Sequence, residues 1–326
     1  MSTRLTNTHN VSLAMAMWLA HDEYTDGSED FPGEDVISAT SLLKAPKQLI
    51  LSARAPMTET RKDVMDMFSG AHGHALHDAV EKAWKNSAVT AKRLGIPKKV
   101  ADSIKINPEP ADVEEGDIAV YLERRAFKRI EVDGNKFVIS GKFDQVIDGL
   151  LCDIKKTGTY TLIAGTKDED YALQGSIYRW LNPELITSDD IMIQFIFTDW
   201  KKGDVKRIAG YPPNPIYEYR VPLMSVAQTE SWIIKRIRRL VSEQSKREED
   251  MVPCNDTELW MSKPVYKYFS NENNKKASKV SENLAELTQY RVDKGKGIIK
   301  TFPGTAKACN YCAAKSICQQ TKELNT

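Results

Sequence analysis

Two Asp-Gly pairs, Asp133–Gly134 and Asp148–Gly149, constrain this sequence more than any other feature, because each separates two runs rich in apolar and β-branched residues. An Asp-Gly pair in that setting is the strongest short-range signal for a β-hairpin. We therefore predict two adjoining hairpins built from the strands AVYLERRAFKRIEV, KFVISGKFDQVI and LLCDIKKT. With helical patterns before and after them, and a further strand and helix beyond, the chain is predicted to form an α/β core with a mixed sheet.

The 326 residues divide into three predicted segments. Residues 1–60 are expected to form an N-terminal helical segment, residues 61–250 the core, and residues 251–326 a basic C-terminal segment that carries a cysteine cluster. Within the core, residues 61–94 show the apolar spacing of one long helix or two joined helices. Residues 95–117 are rich in proline and acidic side chains, which predicts a loop or an insertion.

No apolar run reaches the roughly 20 residues that a membrane-spanning helix needs. The run Val11–Ala20 is short and lacks a clear cleavage site, so we interpret it as a packed helix and not as a signal segment. The formal net charge is +1, so any binding of nucleic acid must depend on local basic surface. We expect a cytoplasmic protein, in the host cytoplasm if phage-encoded, with no membrane partner.

The stretch Gly141–Thr157 places charged residues where a structural strand would carry apolar ones. Asp153 and Lys155 share one face of a strand because side chains alternate, and the Asp-Gly turn folds Asp144 back towards Asp153. Two neighbouring carboxylates repel unless a cation lies between them, and hard oxygen ligands suit Mg²⁺ or Mn²⁺. The plain alternative is a set of surface salt bridges, since Asp204-Val205-Lys206 has the same Asp-x-Lys pattern.

Four motifs in this order resemble the PD-(D/E)XK nuclease superfamily, and in particular its RecB-like branch of phage and bacterial exonucleases. The motifs are Gly73-x-x-x-His77, Gly141-x-x-Asp144, Asp153-x-Lys155 and Gln174-x-x-x-Tyr178. The resemblance implies a restriction-endonuclease-like core with a central mixed sheet flanked by helices, a helical N-terminal part and a metal-stapled C-terminal segment. It also implies a Mg²⁺- or Mn²⁺-dependent DNA exonuclease of phage recombination, repair or DNA processing.

The resemblance assigns roles to individual residues. The implied catalytic residues are His77, Asp144, Asp153, Lys155, Gln174 and Tyr178. The implied metal ligands are His77, Asp144, Asp153 and the carbonyl of Ile154. The implied substrate is DNA, with a single-stranded end, and a recombinase or helicase partner is compatible with the resemblance. A non-catalytic, metal-stapled DNA-binding or scaffold protein with a decayed core remains the alternative, although the complete residue set favours the enzyme.

The sequence CNYCAAKSIC spaces three thiols, Cys309, Cys312 and Cys318, as ligands of zinc or of an iron–sulfur cluster. It resembles the C-terminal motif of RecB-like nucleases that carry a 4Fe-4S cluster; zinc is the alternative. In those proteins the first cysteine lies upstream, just before a proline, where this chain has Ala45. Cys254 is therefore the best candidate for the fourth ligand, and three inert thiols are the plain alternative.

Local basic segments are the candidate DNA contacts, although each is more often a solvated face. They are Trp200–Arg207, Lys235–Arg239 and the three lysines Lys275, Lys276 and Lys279. The indole of Trp200 could stack on an unpaired base or anchor the end of a strand.

Overall fold

The structure is a computed structural model that describes residues 5–21, 25–56 and 62–324. The described chain forms two compact units. The first contains residues 1–43 and 61–238, and the second contains residues 44–60 and 239–326. The three predicted segments do not coincide with these units, because residues 1–60 contribute to both of them.

The helices are α1 (Leu13–Ala20), α2 (Ala39–Leu42), α3 (Pro46–Arg54), α4 (Phe68–Lys85), α5 (Ser87–Arg93), α6 (Lys98–Asp102), α7 (Tyr160–Ala164), α8 (Asp168–Leu181), α9 (Val226–Gln244), α10 (Leu284–Lys294) and α11 (Gln319–Leu324). The strands are β1 (Asp35–Ser38), β2 (Ile104–Ile106), β3 (Ile118–Leu122), β4 (Arg125–Val132), β5 (Asn135–Lys142), β6 (Gln145–Ile147), β7 (Leu150–Thr157), β8 (Asp190–Phe197), β9 (Ile216–Pro222), β10 (Val265–Phe269), β11 (Lys279–Ser281) and β12 (Ile298–Phe302).

The first unit is a mixed α/β structure whose central sheet has the strand order β2-β3-β6-β7-β8-β9. Strands β2 and β3 pair in parallel, as do β7 and β8, and the other neighbours are antiparallel. A second sheet has the order β1-β5-β4. The predicted mixed sheet with flanking helices is therefore confirmed.

Both predicted Asp-Gly hairpins are present. Val132 pairs with Asn135 across the first turn, and Ile147 pairs with Leu150 across the second. The central residues of both turns have positive φ, 51° and 81° in the first and 47° and 79° in the second, as a type I′ turn requires.

Two of the predicted strands are interrupted, and the interruptions lie side by side. The run AVYLERRAFKRIEV divides into β3 and β4 at Glu123, and the run KFVISGKFDQVI divides into β5 and β6 at Asp144. Glu123 N–H donates to the Asp144 carbonyl at 2.8 Å, and Phe143 N–H donates to the Arg124 carbonyl at 3.2 Å. At this corner, each of the two strand runs leaves one sheet and enters the other. Bends of this kind join strands of neighbouring sheets.

Helix α8 covers the central sheet and contacts strands β4, β5, β8 and β9. Its close approach depends on two glycines. A Cβ at Gly141 would lie 2.5 Å from Leu181 Cδ1 and 3.0 Å from Tyr178 Cδ1, and one at Gly175 would lie 2.9 Å from Ile191 Cδ1. The motif glycine Gly141 is therefore required because helix side chains pack directly on its backbone.

Residues predicted as a loop, 95–117, contain α6 and the edge strand β2. Pairing with β3 supplies the backbone hydrogen bonds that a loop prediction from composition cannot foresee. The predicted packed helix at Val11–Ala20 forms as α1, but most of it is exposed: Leu13, Met15 and Met17 are 78%, 47% and 67% accessible. Only Leu19 of this helix is buried, but Ala16 and Trp18 also pack against the cluster of Leu19, Val64 and Ala71, so the expected packing is confirmed for one face of α1.

The second unit contains the antiparallel sheet β11-β10-β12, helices α3, α10 and α11, and the cysteine-rich segment. Its apolar cluster joins Ile50 and Leu51 of α3 to Met251, Ala314 and Cys318. None of the helices in the described ranges is long and apolar enough to cross a membrane.

Candidate functional site

Three side chains that could hold a metal ion converge at the corner between the two sheets. The potential ligand atoms of His77, Glu123 and Asp144 all lie within 4.8 Å of one another. His77 Nδ1 is 3.3 Å from Asp144 Oδ1 and 3.6 Å from Glu123 Oε1. This is the only such group of histidine, cysteine and acidic residues in the part of the chain that the structure describes.

Each of the three residues is positioned by a different element. His77 projects from the middle of α4, whereas Asp144 and Glu123 lie in the two strand breaks. Glu123 has φ of 50°, which is uncommon for a residue with a side chain. Such backbone conformations are concentrated at functional sites, where the surrounding structure maintains them.

Asp144 connects this group to the predicted Asp-x-Lys strand. Its Oδ2 accepts a hydrogen bond of 2.8 Å from the backbone N–H of Ile154 in β7. A small cavity of about 10 Å³ lies here, lined by Ile154, His77, Glu123, Asp144 and neighbouring side chains. That volume is close to the lower limit for holding one water molecule.

Asp153 and Lys155 form a buried ion pair under helix α8. Lys155 Nζ lies 2.6 Å from Asp153 Oδ2, and the Asp153 side chain is 3% exposed. The same oxygen has no hydrogen bond of acceptable geometry. A buried carboxylate oxygen without a proper donor is costly, and such atoms are often completed by a bound ion or water. Lys155 Nζ is thus the close partner of the Asp153 carboxylate in the described structure.

The pKa values of His77, Asp153 and Lys155 are all raised, so the site retains its protons. Hydrogen bonds to Asp144 and then to Glu123 raise the pKa of His77 to about 10, so His77 is protonated at neutral pH. Burial raises the pKa of Asp153 to about 6, and the nearby Asp144 carboxylate adds to this shift. Burial opposes the charge on Lys155, but Asp153 outweighs it and raises the pKa of the lysine. The site therefore favours positive charge between its carboxylates.

Helix α8 places three polar side chains on the face that covers this pair. Gln174 Nε2 donates to the Tyr178 hydroxyl at 2.9 Å, as expected for side chains four residues apart. Tyr171 packs against Lys155, whose Nζ is 5.9 Å from the ring centroid. Burial raises the pKa of Tyr171 to about 12, so its hydroxyl stays protonated.

The site opens into a cleft of about 440 Å³. The side chains that line it are those of Trp18, His21, Ala71, His74, Ala75, His77, Asp78, Glu123, Lys142, Asp144 and Tyr178. This volume falls in the range of small-ligand sites.

Sequence reasoning found His77, Asp144, Asp153, Lys155, Gln174 and Tyr178, and the structure brings these residues to one region of the first unit. His77, Asp144 and Tyr178 line the cleft, whereas Asp153 and Lys155 on β7 and Gln174 on α8 do not.

Glu123, Lys142 and Tyr171 were missed. Lys142 Nζ is 2.7 Å from Glu123 Oε2 and partly neutralises it. The run Glu123-Arg124-Arg125 between apolar residues is a signal that could have located the strand break and its carboxylate.

The four predicted cysteine ligands all lie in the second unit, and all are free thiols. Cys254 N–H donates to Gln320 Oε1 at 2.9 Å, and Gln320 Nε2 donates to the Cys254 carbonyl at 2.8 Å. These bonds tie Cys254 to α11, directly after Cys318. Burial raises the pKa of Cys254 to about 11, and the charges of Glu258, Cys318 and Cys312 act in the same direction.

The four sulfur atoms do not form a compact metal-ligand group in the described residues. Among the described residues, no three of them lie within 4.8 Å of one another. A tetrahedral zinc with Zn–S bonds of about 2.3 Å holds its sulfurs roughly 3.8 Å apart. Ala45, at the position of the missing upstream cysteine, is 3% exposed at the start of α3. The fifth cysteine, Cys152, is buried in β7, where burial raises its pKa to about 12.

Most of the predicted basic segments are engaged in ion pairs within their own units. Arg238 pairs with Asp133 at 2.8 Å, Arg239 with Glu258 at 3.5 Å and Lys279 with Glu286 at 2.7 Å. The indole N–H of Trp200 donates to the Pro212 carbonyl at 2.9 Å, which favours the strand-anchor interpretation.

No protein-family model matches the sequence, and comparison with curated proteins gives no significant match. Among solved structures, the chain is similar to one described as the crystal structure of SSO0001, with 16% identity, a TM-score of 0.39, and coverage of 73% of this chain and 89% of that chain. It is also similar to Scheffersomyces stipitis Rai1, with 12% identity, a TM-score of 0.21, and coverage of 73% of this chain and 70% of that chain.

Proposed function

We propose that this chain is a divalent-metal-dependent DNA nuclease with a restriction-endonuclease-like core of the PD-(D/E)XK type. The observation that carries the proposal is the convergence of His77, Glu123 and Asp144, linked through the Asp144–Ile154 hydrogen bond to the buried pair of Asp153 and Lys155. His77, Glu123 and Asp144 line one small cavity together with Ile154, and Asp153 and Lys155 flank Ile154 on its strand, an arrangement that suits phosphodiester hydrolysis.

The donor set fits Mg²⁺ or Mn²⁺ better than a soft metal. Glu123 and Asp144 supply carboxylate oxygens beside His77, and Asp153 would join them by exchanging its contact with Lys155 Nζ for the ion. Together with His77 and the Ile154 carbonyl, these residues would hold the ion. When bound, the ion supplies a nucleophilic water and neutralises charge on the scissile phosphate.

The protein's own groups supply the rest of the chemistry. Lys155, held by Asp153, can orient the attacking water and stabilise the negative charge that develops on phosphate oxygens. Tyr178 and its partner Gln174 present hydrogen-bonding groups at the cleft for the DNA backbone. His77 can give up its proton when its ring nitrogen is required as a ligand.

The test is degradation of linear and circular DNA with Mg²⁺, Mn²⁺ or EDTA. We expect metal-dependent degradation by the natural chain and its loss in Asp153→Ala. Asp204→Ala is the matched control, because Asp204-Val205-Lys206 repeats the Asp-x-Lys pattern outside the site. Cleavage of circular DNA would identify an endonuclease, and cleavage of linear DNA alone an exonuclease.

The scaffold alternative makes a different prediction in the same assay. A decayed core would bind DNA and leave it intact with either metal. Activity that persists in Asp153→Ala, with correct folding, would contradict the proposed site.

We also propose that Cys254, Cys309, Cys312 and Cys318 bind a 4Fe-4S cluster in the second unit. Four free thiols in one unit, with Cys254 fixed by its hydrogen bonds with Gln320, support a metal site, and the resemblance of the motif favours the cluster over zinc. Cys254 would take the place of the upstream cysteine, because Ala45 occupies that position in this chain. The cluster would join α3 and the C-terminal residues into one structure, since Cys318 and Cys312 pack against Ile50 and Leu51.

A further inference from the structure

The exposed helix α1 lies beside the cleft, and none of its residues belongs to the four sequence motifs. The cleft that His77 and Asp144 line is also lined by Trp18, near the end of α1. The side chains of Leu13, Met15 and Met17 on the same helix are exposed. An apolar helix of a water-soluble unit would normally bury more of this surface, so α1 needs a reason for its exposure.

The position of α1 is fixed by contacts of the segment before it. Thr6 pairs with Asp63 in a parallel bridge, and the Asp63 carboxylate accepts hydrogen bonds from Thr6 and Thr8. Leu19 packs with Val64 and Ala71 at the start of α4. Trp18 is therefore held in place beside the cleft.

Trp18, which lines the cleft, begins a row of three aromatic rings. Its ring is 6.5 Å from the ring of Phe68 and perpendicular to it, and the ring of Phe68 is 5.8 Å from that of His72. Phe68 is 47% exposed. The ammonium of Lys156, adjacent to Lys155 in the sequence, lies 5.7 Å from the centre of the Phe68 ring.

We propose that Trp18, Phe68 and His72 form a stacking platform for the unpaired bases of a single-stranded DNA end, and that Lys156 attracts its phosphates. This inference rests on the proposed nuclease function, because the platform lies beside the residues assigned to phosphodiester cleavage. Rings combined with a cation are the usual means of binding single strands without sequence preference. A base in the interior of a duplex has no free face to stack, so the platform selects unpaired ends.

The test measures DNA binding without cleavage, in EDTA, by fluorescence anisotropy of a labelled single-stranded oligonucleotide and of a blunt duplex. The variants are Trp18→Ala, Trp18→Phe and the control Trp84→Ala, which removes a half-buried tryptophan of the same unit that does not line the cleft. We expect Trp18→Ala to weaken single-strand binding by about 5- to 100-fold, the effect of losing one stacked base. Duplex binding should change less than twofold, and Trp18→Phe and Trp84→Ala should bind nearly as the natural chain does.

A second measurement changes the DNA and not the protein, which removes any doubt from altered folding of Trp18→Ala. The DNA is a series of oligonucleotides with one abasic site each, placed at successive positions from either end. The natural chain should bind more weakly to the oligonucleotide whose abasic site falls at the stacked position. An abasic site at that position should not further weaken the binding of DNA by Trp18→Ala. Equal binding of abasic and intact strands, or an equal loss for single strands and duplexes in Trp18→Ala, would overturn the platform.

The two proposals can fail separately. If the natural chain degrades DNA with Mg²⁺ but Trp18→Ala binds single strands normally, the platform is wrong and the nuclease stands. If Trp18-dependent binding is observed but no metal supports degradation, the nuclease proposal fails and the binding surface remains.

Discussion

At the scale of single residues, the candidate site is organised around the proton on His77. That proton lies between Asp144 and Glu123, whose hydrogen bonds raise the pKa of His77 to about 10. A divalent ion bound by the same carboxylates would compete with the proton, since a ligating imidazole must be neutral. Burial of Asp153, with its pKa raised to about 6, adds a second group that must lose a proton before it can bind an ion.

We therefore predict that metal binding releases protons and strengthens as pH rises. Between pH 7 and 9 about one proton should leave per bound ion, from His77; near pH 5 a further proton should leave, from Asp153. Titration calorimetry of Mn²⁺ binding in buffers of different ionisation enthalpy measures this number. Binding that is independent of pH between 5 and 9 would contradict the assignment.

The same shifts fix the sign of the stability change in metal-free protein. Both folded pKa values are raised, His77 from 6.5 to about 10 and Asp153 from 3.8 to about 6. Each group therefore contributes stability below its unfolded pKa and loses that contribution as pH rises through its folded pKa. The gain in melting temperature on adding Mg²⁺ should accordingly increase with pH.

At the scale of elements, the two motif glycines differ in the space around them: Gly141 is tightly packed and Gly73 is not. A Cβ at Gly141 would collide with Tyr178 and Leu181 of α8, whereas a Cβ at Gly73 in α4 would meet nothing within 4 Å. The Gly-x-x-Asp glycine thus permits helix–sheet packing, and the Gly-x-x-x-His glycine lies in an open part of its helix.

Gly141→Ala should therefore destabilise the protein by about 1–3 kcal/mol, because overpacking moves Tyr178 or the strand. Gly73→Ala is the matched control and should stabilise α4 by about 0.5–1 kcal/mol, since alanine restricts the unfolded chain more than glycine. Chemical denaturation of both variants measures these changes. A neutral Gly141→Ala would show that α8 does not depend on this close contact.

The sequence permitted the hairpins, the long helices and six residues of the site to be predicted, since turn chemistry and motif spacing are local signals. Glu123 was missed because it joins the site through a strand break, whereas residue propensity favours one continuous strand over AVYLERRAFKRIEV; only the charged run at Glu123 signals the break. The edge strand β2 was missed for a related reason, since tertiary pairing overrides a loop-like composition. The exposure of α1 was missed because apolar composition alone predicts burial.

At the scale of the whole molecule, the chain separates the proposed chemistry from the proposed cluster. His77, Glu123, Asp144, Asp153 and Lys155 belong to the first unit, and the four clustered cysteines belong to the second. Residues 44–60 carry α3 into the second unit, although their neighbours in sequence belong to the first.

We predict that Cys254→Ser, purified without oxygen, loses the brown colour and most of the iron of the natural chain and unfolds at a lower temperature. Cys152→Ser is the matched control, because Cys152 is a buried thiol in the other unit. Iron and zinc analysis with visible absorbance measures the outcome. Full iron content in Cys254→Ser would exclude it as a ligand, and stoichiometric zinc in the natural chain would exclude the cluster.

The central claim is that a divalent ion binds at the corner between the two sheets. Anomalous diffraction from crystals soaked in Mn²⁺ tests it most directly. The account predicts one strong peak within coordination distance of His77, Glu123 and Asp144, which weakens in Glu123→Gln. The absence of a peak there, or a peak of unchanged height in Glu123→Gln, would contradict the proposed metal site.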